Sequence, residues 1–293
     1  MPHLLSTLIK QSAVINEKID FIREKPFDCF ARMTTERQNK CIFFTDKKFI
    51  ESLDDSVAMV ITSKDFLSKF ESRLSNYGIC VAENPKGLYF ELLNEFEEAH
   101  PRPKFKTKIG KKCTISKTAV ISKKNVKIGN NVIIDDFVKI YPNVTIGDNV
   151  TIQAGSVIGI QDFDLYNYGG VSKHVYHNGQ TIIGDNVFLG SHCVVGQALY
   201  DYGTTEIQKN SKINHGTLIG HNDNIGENTK ISKGTIIAGW TQTGRDCFFG
   251  VGSMVRNAVT IGDKVTVGMG SVVTKNIDSG LTVIGNPARP KQA

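Results

Sequence analysis

His221 stands in the segment I-G-H-N-D-N (219–224), two residues beyond an isoleucine that recurs with a fixed period. Imidazole is the side chain best suited to take up and return a proton near neutrality, so His221 reads as a candidate general base. His215, six residues earlier, holds the matching place on the preceding face of the repeat. Without further context either residue reads as an ordinary surface histidine. A three-histidine zinc site needs a third ligand at matched height, and His192, 23 residues before His215, is out of step, so no metal is expected. The six cysteines (29, 41, 80, 113, 193 and 247) form no C-x-x-C pair and read as reduced, mostly buried thiols.

What must position His221 is the array itself. Every sixth residue from Ile207 gives Ile213, Ile219, Ile225, Ile231, Ile237, Thr243, Phe249, Val255, Ile261, Val267 and Val273; eleven of these twelve are apolar and six precede a glycine. Neither a helical nor an alternating strand period fits. A six-residue period predicts a solenoid of short strands, a hexapeptide β-helix in which three hexads close one triangular coil. The hexads start at Ile109, pass Ile115 and Ile121, slip by one residue, resume at Ile128 and run to Ile158. Residues 159–181 break the pattern, Ile183, Leu189 and Val195 restore it, and a shorter excursion falls around Asp201. Eight or more coils follow. Loops that interrupt a regular solenoid tend to carry ligand-contacting groups. The longer one offers Asp162, Phe163, Tyr166, Tyr168, His174 and His177, of which Asp162, Tyr166 and His177 are taken as substrate contacts.

Residues 1–100 lack the period and read as a small α/β module. A helix is predicted over 5–22, strands over 39–44, 57–62 and 78–82, helix-forming stretches over 47–53 and 64–74, and a closing helix over 85–96. Residues 101–108, basic and proline-containing, read as a linker, 109–285 as the β-helix with its loop at 159–182, and 286–293 as a tail. The net charge of +6 favours an anionic ligand, but the basic residues are dispersed and lack interleaved aromatics, so no nucleic-acid partner is expected. No apolar run approaches the length of a membrane span, and Met1–Lys10 lacks a signal-peptide pattern, so a cytoplasmic protein is expected. Flat, apolar-edged solenoid faces favour closed cyclic assembly, and a homotrimer would form three grooves between neighbours.

The repeat, its loop and the terminal V-I-G-N-P-A-R-P (283–290) resemble the left-handed β-helix acyltransferases. Nearly the whole chain resembles, more specifically, the UDP-3-O-acylglucosamine N-acyltransferases of lipid A synthesis and their shorter relatives that acylate nucleotide-linked amino sugars. The resemblance implies that His221, in I-G-H-N where the family has I-A-H-N, is the general base. Gly239, in I-I-A-G-W eighteen residues on, would supply the backbone N–H of an oxyanion hole one coil away. It also implies that C-I-F-F-T-D-K-K-F-I-E-S-L (41–53) holds the nucleotide base between Phe43 and Phe49 and reads it with Asp46. The segment A-E-N-P-K-G-L-Y-F-E-L-L-N-E-F (82–96) matches the family's N-P-x-x-x-Y/F turn and helix.

Departures from that pattern shape the expected function. The family's second histidine, 37 residues after the base, is Ala258 here, and the G-N-P-A ending is typical of relatives that use acyl-CoA rather than an acyl carrier protein. Lys275, Gly285, Arg289 and Lys291 would then lie along bound CoA, with the cations near its phosphates. Trp240 replaces a small residue beside Gly239 and would shorten the space for an acyl tail. Asp46 replaces the usual Asn, which points to thymine or another base instead of uracil. The expected reaction is transfer of a short acyl group, acetyl or hydroxybutyryl-like, from acyl-CoA to the amine of a dTDP- or UDP-linked deoxyamino sugar for surface glycan synthesis. Acyl-CoA serves as co-substrate, with no permanently bound cofactor. The alternatives are the carrier-protein-dependent lipid A enzyme, a non-catalytic nucleotide-sugar-binding solenoid, and a metalloenzyme of the hexapeptide carbonic anhydrase type.

Overall fold

The computed structural model describes residues 2–15 and 17–291, with the backbone alone for Phe49. The chain divides into two compact units, Met1–Pro101 with Phe163–Tyr176, and Arg102–Asp162 with His177–Ala293.

In the first unit, helix α1 (Leu5–Gln11) precedes strands β1 (Asp20–Arg23), β2 (Cys29–Phe30), β3 (Lys40–Phe44) and β4 (Val57–Thr62). Helix α2 (Lys64–Leu74), strand β5 (Gly78–Val81) and helix α3 (Pro85–Ala99) follow. The sheet runs β1-β5-β4-β3-β2, parallel except for β1 at one edge. All six residues of β4 are buried, as expected for a central parallel strand covered on both faces. The predicted helix over 5–22 is corrected. Ser12 leaves helical angles (φ −69°, ψ 133°), its hydroxyl accepts from the amides of Val14 and Ile15, and residues 20–23 pair as a strand with β5. A serine offering the backbone a local alternative ends the helix there. The 47–53 stretch forms only a 3-10 helix, Lys47–Ser52, capped by Asp46.

The excursion from the solenoid is not an irregular loop. Leu165–Tyr168 and Val171–His174 pair as an antiparallel hairpin around Gly169 and Gly170, both at positive φ as a tight turn of this kind requires. It packs on α3. The Tyr166 hydroxyl donates to Glu91 at 2.9 Å, Lys173 pairs with the same carboxylate, and Asn94 bonds the backbone of His174 and Tyr176.

The second unit is a prism of three sheets with eight, ten and eight strands, parallel throughout except for the last strand of the ten. Ile207 pairs with Ile225, Ile213 with Ile231 and Ile219 with Ile237, which defines faces one, two and three at a step of eighteen residues per coil. All six are buried in one continuous core, each worth about 1.5–3 kcal/mol of burial. Thr243, the polar member of the array, is buried too, and its hydroxyl accepts from the Gly226 amide at 3.0 Å. The strand Val126–Ile128 absorbs the one-residue slip by burying both of its ends. Ile109, in the first coil, remains 50% exposed.

At the corner after face one, Asn131, Asn149, Asn186, Asn210 and Asn228 all have positive φ, which Asn tolerates better than most residues. Their side-chain amides form a ladder, each Nδ2 donating to the Oδ1 one coil on, at 3.0–3.1 Å, ending on Asp246. Beyond the last complete coil, Thr282–Ile284 extends face two, and Arg289–Pro290 folds back antiparallel onto it, so the segment expected as a tail carries a strand.

Candidate active site

His221 occupies the corner leading from face three to face one, and its backbone is pinned from several sides. The Gly220 amide donates to Ile237 O and to Asp223 Oδ2, both at 2.9 Å, while Asp223 Oδ1 accepts from the Thr241 amide at 2.8 Å. Asp223 is fully buried and thus ties two successive coils together just behind the histidine. Burial pushes its carboxyl well above the usual carboxylate range, and the negative charge of Asp162 adds to that. Asp162 Oδ2 accepts from the His221 amide at 3.0 Å, and the Asn222 amide donates to Thr205 Oγ1 at 2.7 Å.

The ring is oriented by its neighbour. Asn222 Oδ1 accepts from the Leu199 amide at 2.8 Å, which fixes it as the acceptor, and it lies 3.1 Å from His221 Nδ1. Nδ1 therefore carries the hydrogen and Nε2 presents its lone pair. Beside Nε2 lies Gly239. A Cβ on that residue would come within 2.6 Å of both Cδ2 and Nε2 of the imidazole, so only glycine fits. Gly239 is buried, and its amide hydrogen finds no acceptor among the described residues.

Trp240 completes the corner. Its amide donates to His221 O at 2.9 Å, and its ring stands nearly perpendicular to the imidazole at 5.6 Å. It holds a φ of +66°, unusual for a bulky residue and a mark of a position set by function or packing. Tyr200, from the shorter excursion, lies 6.2 Å from the indole and stacks on Tyr202. His177 is buried 5.2 Å from the His221 ring, with Nδ1 bonded to Gln197 O at 2.9 Å.

Of the residues expected from sequence, His221, Gly239, Trp240, Asp162 and His177 are thus brought together. Lys275 falls on the same corner three coils on, roughly 14 Å along the prism at about 4.8 Å per coil, and is exposed. Gly285 (φ +97°) opens the turn after face two, and Arg289 is exposed in the returning strand. Tyr166 belongs to the first unit, as a buried anchor of the hairpin. His215 and His192 stand at a different corner, after face two, where His215 Nδ1 accepts from the Ser191 amide at 2.9 Å. No group of three or more potential metal ligands occurs among the described residues.

In the first unit, Phe43 and Asp46 line a cavity of about 320 Å³ together with Arg32, Thr45 and Lys86. The side chain of Phe49, expected to close this pocket, lies outside the described residues. Sequence reasoning passed over Asn222 and Asp223, although both stand in the hexad of His221, because their partners come from other coils and from the Leu199 excursion. Tyr200 was signalled only by the break in period around it.

A family model described as bacterial transferase hexapeptide (six repeats) matches residues 125–159. Another, hexapeptide repeat of succinyl-transferase, matches 180–201 and 243–275. The chain is 37% identical over 75 residues to a UDP-3-O-acylglucosamine N-acyltransferase of Maricaulis maris and 40% identical over 75 residues to one of Gloeobacter violaceus. Each match covers 26% of this chain and only 21% of the relative, so the chain spans about a fifth of the length of the curated relatives it matches. The solved UDP-N-acetylglucosamine acyltransferase from Campylobacter jejuni shares the fold, with a TM-score of 0.58 at 22% identity over 64% of this chain and 70% of that one. Period, coil geometry and these likenesses together make the chain a hexapeptide-repeat protein with the left-handed β-helix fold of the bacterial acyltransferases.

Proposed function

We propose that this protein is an N-acyltransferase that moves a short acyl group from acyl-CoA to the amine of a nucleotide-linked deoxyamino sugar. One observation carries the reading: the Nε2 edge of His221 lies against Gly239, whose buried amide hydrogen has no acceptor among the described residues. A base beside an oxyanion donor is what acyl transfer to an amine needs. The neutral amine attacks the thioester carbonyl carbon, and the carbonyl electrons move to oxygen, where the Gly239 N–H meets them. Nε2 of His221 takes a proton from the nitrogen. On collapse the C–S bond breaks and the imidazolium returns its proton to the departing thiolate. No acyl-enzyme forms.

Support for CoA comes from Lys275 on the same corner and from the turn at Gly285 with the exposed Arg289. Trp240, half-buried against His221, narrows the space an acyl tail would occupy and favours a short one. On face three the outward residues from Val157 onward (Val157, Val194, Leu218, Ile236, Met254 and Val272) form an apolar stripe, bounded below by Lys139, that supports a homotrimer. His221→Ala is the direct test: kcat for CoA-thiol release should fall about 10²–10⁴-fold with the fold intact by circular dichroism. Turnover retained within a few-fold would remove His221 from the mechanism. The local match to UDP-3-O-acylglucosamine N-acyltransferases favours, as a second reading, the lipid A reaction with an acyl carrier protein. Competition between acyl-CoA and acyl carrier protein separates the two.

A further inference from the structure

We infer that the cavity beside Phe43 and Asp46 selects guanine, so that the acceptor sugar is carried on a guanosine diphosphate. This rests on the nucleotide-sugar reading above and concerns only which base is held. The cavity, about 320 Å³, lies at the small end of ligand pockets, the size for a base and its near surroundings. Phe43, half-buried at the end of β3, offers an aromatic face, held from behind by Tyr89 at 5.1 Å and Phe90 at 5.7 Å between ring centres. Arg32 and Lys86 line the same cavity and suit a diphosphate.

Asp46 supplies the discrimination. Its Oδ1 caps the 3-10 helix by accepting from the Lys48 amide at 3.1 Å, and its Oδ2 pairs with Lys48 Nζ at 2.9 Å. A carboxylate has about four acceptor sites, so each oxygen keeps one for a ligand. It is held ionised below the usual carboxylate range by the Lys48 hydrogen bonds, so it offers acceptors and no donor. The pairing edge of uracil or thymine presents one N–H between two carbonyl oxygens, and a second carboxylate oxygen would face one of those carbonyls. Cytosine and adenine each present an amino group beside a ring nitrogen acceptor. Guanine alone presents two adjacent donors, N1–H and the 2-amino group, that match both oxygens of a carboxylate in parallel. Its O6 needs a donor, and Thr45, whose hydroxyl can supply one, lines the cavity. An asparagine here would instead suit uracil, giving one acceptor and one donor.

The test is calorimetric titration of the full chain with GDP, UDP, dTDP, ADP and inosine diphosphate, which lacks the 2-amino group. GDP should bind at least about tenfold more tightly than each of the others. In Asp46→Asn, which keeps the helix cap because Asn caps as well as Asp, GDP should lose about tenfold or more and UDP or dTDP should overtake it. A wild-type preference for UDP or dTDP, or equal binding of GDP and inosine diphosphate, overturns the guanine assignment while leaving the nucleotide-sugar reading in place. Failure of every nucleotide to bind, with Phe43→Ala unchanged from wild type, overturns both.

Discussion

Asn222 accepts a hydrogen from Leu199 on one side and faces His221 Nδ1 on the other, so the tautomer of the imidazole is set by an adjacent residue that the shorter excursion holds in place. Because Asn222 sits at a φ of +58°, glycine can replace it without backbone strain, whereas most residues cannot. Asn222→Gly is expected to keep the fold and lower kcat by about tenfold or more, with KM for the sugar nearly unchanged, as the imidazole loses its orienting acceptor. Asn222→Asp keeps an acceptor for both donors and should restore most of the rate. Equal rates in the glycine variant and wild type would show that the ring needs no such partner.

At the scale of coils and turns, the buried carboxylate of Asp223 joins the turn of His221 to the coil that follows. The folded chain holds its proton at pH values where the unfolded chain, with the ordinary carboxyl value of 3.8, has already released it. Its contribution to stability is therefore most favourable at and below that value and declines as pH rises through the raised folded pKa. In urea denaturation across this range, Asp223→Asn should show a flatter pH dependence. It should also be less stable at low pH by about 1–3 kcal/mol, since an amide nitrogen would meet one of the two N–H donors. Parallel profiles for the two proteins would mean that Asp223 does not titrate there. The coil is also where the sequence was easiest to read. A step of eighteen residues becomes one step along the prism, so Gly239 could be set beside His221 from the period and the family motif together. The hairpin was hidden because Tyr166 and Lys173 find Glu91, a partner more than seventy residues away, and no local pattern announces such a contact. The early end of α1 was missed for a different reason: the apolar spacing continues past Ser12 although its hydroxyl redirects the backbone.

For the molecule as a whole, the apolar stripe of face three includes Leu218 at 40% and Met254 at 46% exposure, on strands flanking the corner strand of Gly239. A homotrimer buries such a stripe. Sedimentation should give a particle three times the 32.3 kDa chain, and the double substitution Leu218→Glu with Met254→Glu should yield a folded monomer with transferase activity reduced at least about tenfold. A wild-type monomer with full activity would refute the shared groove. The asparagine ladder has a consequence of another kind. Each rung above the first gives upward and receives from below, so the inner rungs are interchangeable, and the series closes on a carboxylate that can only receive. Such a spine is indifferent to how many storeys it serves. Whole eighteen-residue storeys could be gained or lost in descent without leaving a broken rung, and the height of the prism is free to vary while its cross-section stays fixed.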